Sequence, residues 1–307
     1  MNRYLDVTPE ISQAIANGAA VVALESTIIA HGMPYPQNLQ MAEEVEAIIR
    51  AAGAVPATIA IMKGRLKVGL TSGELKTFAE GGAEITKVSV RDMPQVVARG
   101  EVGATTVAST SRIAALVGIH VFATGGIGGV HRGAERSFDI SADMTEFSQS
   151  NVAVVTAGAK AILDLALTLE TLETLGVPVI GFGTDDFPAF YSRNSGHAVP
   201  MRCDTAEAVA QLMKVKWEMG LRGGIVVANP ILAEFEIPSA EILPYIESAV
   251  ADAARQKISG KNVTPFLLAK LAEITGGRSL IANIALVKHN AAVAAQIAIA
   301  FANNNKE

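Results

Sequence analysis

The chain has 307 residues, half of them hydrophobic and 18% charged, with 25 basic against 30 acidic side chains and a formal net charge of −5. That is enough apolar material for a substantial core, in one large domain or two modest ones, while the scattered lysines and arginines form no basic stripe of the kind that holds nucleic acid. A single cysteine, Cys203, excludes an internal disulfide framework and any multi-cysteine metal site, and suits a reducing cytoplasm.

The first stretch, MNRYLDVTPEISQAIANG, lacks the apolar centre of a signal peptide. The longest apolar run, AAVAAQIAIAFA at 291–302, falls short of the ~20 residues a bilayer requires. The expectation is a cytoplasmic protein with a small-molecule substrate and neither a membrane nor a nucleic-acid partner.

In chain order, AAVVALEST (19–27) reads as a buried strand. NLQMAEEVEAIIRAAG (38–53) reads as a helix with Met41, Val45, Ile48 and Ile49 on one face and Gly53 at its end. Residues 58–70 read as two strands joined at Lys63-Gly64. A helix over ELKTFAEGG, a strand over ITKVSV and a helix over DMPQVVARG follow. ATTVAST is expected as a strand, SRIAALVG as a helix and HVFA as a strand ending in the turn TGGIGG. VAVVTAG is expected as a strand feeding a helix that begins at 159. PVIGFG, the helix AEAVAQLMKVKWEMG, the strand GIVVANP and three helical stretches to about Ala302 complete the chain. Strands buried on both faces and alternating with helices indicate an α/β protein, a three-layer α/β/α sandwich with a largely parallel central sheet. No linker or repeat argues for a cut, so residues 1–307 are read as one domain.

In such sheets ligands gather at the carboxyl ends of the strands. Glu25, Lys87, Thr105, Thr106, Thr124, Lys160 and Asn229 all follow apolar runs, which places them on one rim. Any one of them alone is the ordinary polar residue where a strand meets solvent; their convergence is the stronger argument. The segment ATGGIGGVHRGAERSFDISAD (123–143) has four glycines in five residues, a turn whose bare N–H groups can wrap a phosphate. It matches neither the dinucleotide nor the P-loop spacing. His131 and Arg132 directly after it would complete the charge balance of an anion site.

Asp139 and Asp143 stand four residues apart, a spacing at which two carboxylates can share a hard cation such as Mg²⁺ or Mn²⁺. Asp143 with Glu146 also has the form of a capping box, and Asp139 has no comparable local task. Glu25 ends an otherwise apolar strand, where burial would raise its pKa and let it donate and accept protons in turn; Ser26 or Thr27 is the plain alternative partner. His31-Gly32-Met33-Pro34 is either a flap or an ordinary loop. Lys160 sits between an apolar strand and an alanine-rich segment. Desolvation, or a second ammonium such as Lys87, would enlarge the neutral, nucleophilic share of its amine, and a helix start at 159 would act in the same direction.

The blocks VALESTIIAHGMPYPQN, PATIAIMKGRLKVGL, TKVSVRDMP, GATTVAST, FATGGIGGVHRGAE, FDISAD, TAGAKAILDL, VVANPI and TPFLLAKLAEITGG together resemble the pseudouridine-5′-phosphate glycosidase family, also called the indigoidine synthase A family, from about Leu5 to Phe301. The resemblance implies reversible cleavage of the carbon–carbon glycosidic bond of pseudouridine 5′-phosphate to uracil and ribose 5-phosphate. It implies Lys160 as the Schiff-base nucleophile, Glu25 as the proton donor and Asp139 as the ligand of a divalent metal, usually Mn²⁺. Lys87, Val107, Ser141, Ala142 and Asp143 become substrate contacts, with His131, Thr124 and Asn283 as further pocket candidates. A homotrimer is implied as well. Two other readings stay open from the residues themselves: another Schiff-base enzyme on a phosphorylated sugar, such as an aldolase or a base-exchange enzyme, and a non-catalytic sugar-phosphate sensor.

Overall fold

A computed structural model of the chain describes residues 2–258, 260 and 263–305. The first half runs β1 Leu5–Val7, α1 Pro9–Ala16, β2 Val21–Glu25, α2 Thr27–His31, α3 Gln37–Ala51, β3 Val55–Met62, β4 Arg65–Val68, α4 Ser72–Gly81, β5 Thr86–Val88, α5 Met93–Ala98, β6 Gly103–Thr105, α6 Val107–Val117 and β7 Val121–Ala123. The second half runs β8 Val130–His131, α7 Ala134–Ser137, α8 Ala142–Phe147, β9 Ala153–Thr156, β10 Leu163–Asp164, α9 Leu165–Thr174, β11 Val179–Phe182, β12 Met201–Cys203, α10 Ala206–Glu218, β13 Ile225–Ala228, α11 Ser239–Arg255, α12 Val263–Ile274 and α13 Arg278–Asn304.

Eleven strands form one sheet in the order β1-β4-β3-β2-β7-β9-β13-β11-β12, with β6 pairing to β3 and β5 to β6. Every pairing from β3 to β12 along that order is parallel. The exceptions are β4 and β6, which run antiparallel to β3. Runs such as VVALE in β2 and IVVA in β13 are buried at every position, the pattern required of parallel strands covered by helices on both faces. On one face α13 packs against α3 and α10; on the other α6 packs against α8 and the strands β2 and β3. This is the three-layer α/β/α arrangement expected from the alternation of strands and helices.

Local chemistry sets the boundaries. Lys63 and Gly64 both take positive φ, 50° and 71°, the geometry of a two-residue hairpin turn between β3 and β4. Thr71 and Glu74 form a reciprocal capping box at the start of α4. Helix α13 is longer than the apolar run 291–302 suggested, and by length and composition it would suffice to cross a membrane. Its Leu286, Ala291, Ala294 and Ile297 are instead fully buried in the core, and its small residues let it lie close against β2, β7 and β9.

Two expectations fail. The segment TVAST is not a strand: Thr106 caps α6 by accepting a hydrogen bond from the Ser109 amide, so residues 107–110 form the first helical turn. A run of β-branched residues hid a threonine cap. Nor does a helix begin at 159. Residues 157–162 form an irregular loop, and Asp164 caps the later helix α9 by accepting from Leu167 N at 3.0 Å. The helix-dipole argument for the Lys160 amine therefore falls away. Strands β1 and β12 extend the sheet at its two edges, and at three residues each they are too short to show a period in the sequence.

Candidate active site

A cavity of about 380 Å³ opens at the carboxyl ends of β2, β7 and β9. Glu25, Lys87, Val107, Thr124, His131, Asp139, Ser141, Ala142, Asp143, Lys160 and Asn283 all line it. Five separate stretches of chain and one long helix thus bring to one place residues separated by up to 258 positions in sequence.

Glu25 is the last residue of β2 and is 7% exposed. Neither Ser26 nor Thr27 serves it. Its partner is Thr124, just past β7, whose hydroxyl donates to Glu25 Oε1 at 2.5 Å. Burial pushes the Glu25 pKa above its ordinary value of 4.5. The positive charges of Lys160 and Lys87 and the Thr124 hydrogen bond act against that rise, and the negative charge of Asp143 adds to it. The group is therefore a carboxylic acid that keeps its proton to higher pH than a surface glutamate would.

Lys160 is half-buried and its loop is tied to the glycine turn. Beyond the last paired residues of β7 and β9 the two chains keep bonding: Thr124 N donates to Val155 O, Ala157 N to Gly125 O, Ile127 N to Gly158 O and Lys160 N to Ile127 O, all between 2.9 and 3.1 Å. The nucleophile candidate and the residue that holds Glu25 therefore share one rigid backbone frame. Gly126 sits inside it. A methyl group built there would stand 2.5 Å from Cδ2 of Phe190 and 3.3 Å from Cγ of Lys160, so the ring edge and the lysine stem meet over that glycine. Phe190 is 3% exposed and holds φ at 65°, an uncommon conformation for a bulky residue; its amide donates to Ala157 O at 2.9 Å.

Asp143 does not cap its helix with Glu146. Ser141 is the cap of α8 and accepts from Asp143 N at 3.2 Å. The Asp143 carboxylate instead reaches outward, accepting from Ala108 N at the start of α6 at 2.9 Å and from Gly128 N at 2.7 Å. It thereby binds the glycine turn to α6. Glu146 is occupied elsewhere, by the Arg112 guanidinium at 2.9 Å and the Ser150 hydroxyl. Gly128 has to be a glycine here, because a Cβ would lie 2.2 Å from Ser141 Oγ and 2.8 Å from Asp143 Oδ2. Val107 is the first residue of α6, and the N-terminus of that helix faces the cavity with its positive dipole end.

Asn283, on α13, is 4% exposed, and its Oδ1 has no hydrogen-bond partner among the described residues. The residue lines the cavity while that oxygen is buried against the glycine turn, 3.5 Å from where a Cβ on Gly125 would stand. For a metal, the described residues hold no cluster of three His, Cys, Asp or Glu side chains. Both Asp143 oxygens accept from a backbone amide, and each keeps a further lone pair. Asp139 is exposed at the cavity mouth and its carboxylate carries no hydrogen bond among the described residues. The donor set fits a hard divalent cation that keeps most of its waters and takes a single protein ligand.

Two rim candidates, Thr105 and Asn229, and the anion-site candidate Arg132 lie elsewhere. Thr105 is fully buried, bonded to Ser26 and Ile59 O; Arg132 lines a separate surface groove; Asn229 lies behind the glycine turn, bonded to Asn290 and His289. Conversely Phe190, Ser89 and Arg91 line the cavity without having been singled out. Phe190 lies in a segment, 184–200, with neither helical nor strand periodicity, so no pattern marked it.

A lysine and a buried carboxyl, converging on one cavity at the carboxyl edge of an α/β/α sheet, define the class of site. Residues 10–300 match the family described as indigoidine synthase A like protein, and the chain belongs to that family. A Nocardioides protein named pseudouridine-5′-phosphate glycosidase is 60% identical over 298 residues, covering 97% of each chain. A Deinococcus radiodurans protein of the same name is 57% identical over 302 residues, covering 98% of this chain and 96% of its own. Among solved structures, the prealnumycin C-glycosynthase AlnA in complex with ribulose 5-phosphate superposes with a TM-score of 0.91 at 38% identity, covering 100% and 99% of the two chains.

Proposed function

We propose that this chain cleaves the C–C glycosidic bond of pseudouridine 5′-phosphate, reversibly, to give uracil and ribose 5-phosphate through a Schiff base on Lys160. The observation that carries the reading is the pairing, in one cavity, of Lys160 with a Glu25 whose pKa is raised by burial. Relatives of that name along essentially the whole chain support it.

The bond joins two carbons, so no leaving nitrogen or oxygen can be protonated as in ordinary glycosides. Glu25 donates its proton to the ring oxygen as the C1′–O bond opens, and the Lys160 amine bonds to C1′ and gives up a proton. Protonation of uracil at C5 then lets the nitrogen lone pair form the iminium as the C1′–C5 electrons return to the pyrimidine. Water hydrolyses the iminium to ribose 5-phosphate and the free amine. Asn283 stands at the pyrimidine end of the cavity, and Lys87, the Val107 amide and residues 141–143 line the phosphate end. Thr124 and His131 complete the wall. A divalent cation on Asp139, Mn²⁺ or Mg²⁺, would neutralise phosphate charge when bound. The phosphorylated substrate places the work in the cytoplasm, and a homotrimer is part of the same proposal, read by light scattering.

Uracil release from pseudouridine 5′-phosphate, followed by ultraviolet absorbance with and without a chelator and metal add-back, tests the reading. Borohydride added with ribose 5-phosphate should raise the intact mass by one reduced sugar in the wild type and not in Lys160→Ala. An unchanged wild-type mass would instead make the protein a sugar-phosphate sensor. Trapping without uracil release would favour another Schiff-base reaction, such as the C-glycoside formation named for the solved neighbour.

A further inference from the structure

We infer that Asn290 is a positioning residue for the site, holding the Thr124 turn so that the Thr124 hydroxyl stays aimed at Glu25. Asn290 lies on α13, 1% exposed and outside the cavity. Its amide group donates to Thr124 O at 2.8 Å and to Gly125 O at 3.3 Å, so both its hydrogens are used on the backbone of the turn. The orientation is fixed from behind: Asn229, 2% exposed at the end of β13, donates from Nδ2 to Asn290 Oδ1 at 2.9 Å. The same Asn229 nitrogen is 3.1 Å from His289 Nδ1, and its backbone amide donates to Thr156 O at 2.8 Å. The result is a continuous chain of bonds, Asn229 to Asn290 to the Thr124 carbonyl, ending in the Thr124 hydroxyl on Glu25 Oε1.

Structure alone did not demand a polar pair here. Around Asn290 the buried face of the helix is otherwise apolar, with Leu286, Val287, Ala291 and Ala294 on it, and a buried amide is tolerated only when its bonds are made. Gly125 O also has Ala157 N as a donor, so its own need is met without the asparagine. What Asn290 adds is control of the Thr124 carbonyl, and through it of where the hydroxyl points. The groups that act on Glu25 are Thr124, Lys160, Lys87 and Asp143. Of these Thr124 is the one Asn290 touches.

The inference rests on Glu25 being the proton donor, and its test is read on Glu25 directly. Difference infrared titration, wild type minus Glu25→Gln, follows the carboxylate band with no substrate present. The Thr124 bond favours the ionised form, and a hydrogen bond to a charged group is worth enough to move the midpoint by about one pH unit. Thr124→Val should raise the midpoint by about that amount, Asn290→Leu should raise it equally, and the double variant should go no further. If Asn290→Leu does not fold, Asn290→Ser, which keeps one donor, should give a smaller rise in the same direction. A midpoint unmoved in either single variant, or rises that add in the double variant, overturns the inference. Turnover in Asn290→Leu should fall on the order of tenfold with KM nearly unchanged, whereas a purely structural role would lower the melting temperature and leave the midpoint in place. Failure of the wild type to release uracil would remove the proposed reaction and leave the infrared result standing.

Discussion

Gly126→Ala offers a sharp test of how the lysine is aimed. The added methyl would lie 2.5 Å from Phe190 Cδ2, 2.6 Å from Cε2 and 3.3 Å from Lys160 Cγ. Ordinary carbon–carbon contact is about 3.5–4 Å, so the ring edge must retreat by about 1 Å or the lysine stem must swing aside. The ring has little room: it is 3% exposed, T-shaped against Tyr191 at 4.8 Å, and its amide is bonded to Ala157 O. Overpacking of this kind costs about 1–3 kcal/mol of stability, and a 1 Å error in a reacting group costs on the order of 100-fold in rate, about 2.7 kcal/mol of barrier. The expected variant is folded, with a modestly lowered melting temperature, KM close to wild type and kcat down by about two orders of magnitude. Borohydride trapping should slow in parallel, because the same amine is misplaced. Wild-type turnover in a folded Gly126→Ala would refute the claim that ring and glycine together set the course of the Lys160 side chain.

Glu25→Gln should abolish turnover and also stabilise the protein. Because the folded pKa lies above 4.5, the wild type loses stability as pH rises from that value through the folded one, and the glutamine variant does not, so the gap in melting temperature should widen with pH across that window. Asp143→Asn replaces an acceptor of two amides with a group that can satisfy one, and should cost about 2 kcal/mol in denaturant unfolding while raising KM. Lys216→Met is the control. Its ammonium, 7% exposed, donates to the Leu221, Arg222 and Gly223 carbonyls ahead of β13, at the end of the sheet away from the cavity. It should lose about 2 kcal/mol of stability and keep its kcat.

The layer architecture was legible because buried parallel strands announce themselves as unbroken apolar runs, and VVAL, AVVT and IVVA did so. The positions that follow such runs pointed to Glu25, Thr124 and Lys160 before any geometry was available. Long-range bonding was not legible: nothing in the sequence says that Glu25 is held by Thr124 rather than by Ser26 beside it, or that Asp143 spends its carboxylate on α6 and Gly128. Asn229 shows the limit of the rim argument, since its side chain turns toward α13 instead of the cavity. The irregular loop at Lys160 was hidden for a different reason. Alanine-rich composition favours helix locally, and the bonds from the glycine turn override it.

Helix α13 presents Asn283 to the cavity and Asn290 to the back of the turn, seven residues apart on one stripe of a 27-residue rod. Seven residues make almost two full turns, so the two amides keep step only while the count between them is preserved. Inserting or deleting one residue at 284–289 would swing one amide about 100° around the rod relative to the other, whatever residue were chosen. The segment between them therefore tolerates a change of residue type more readily than a change of length.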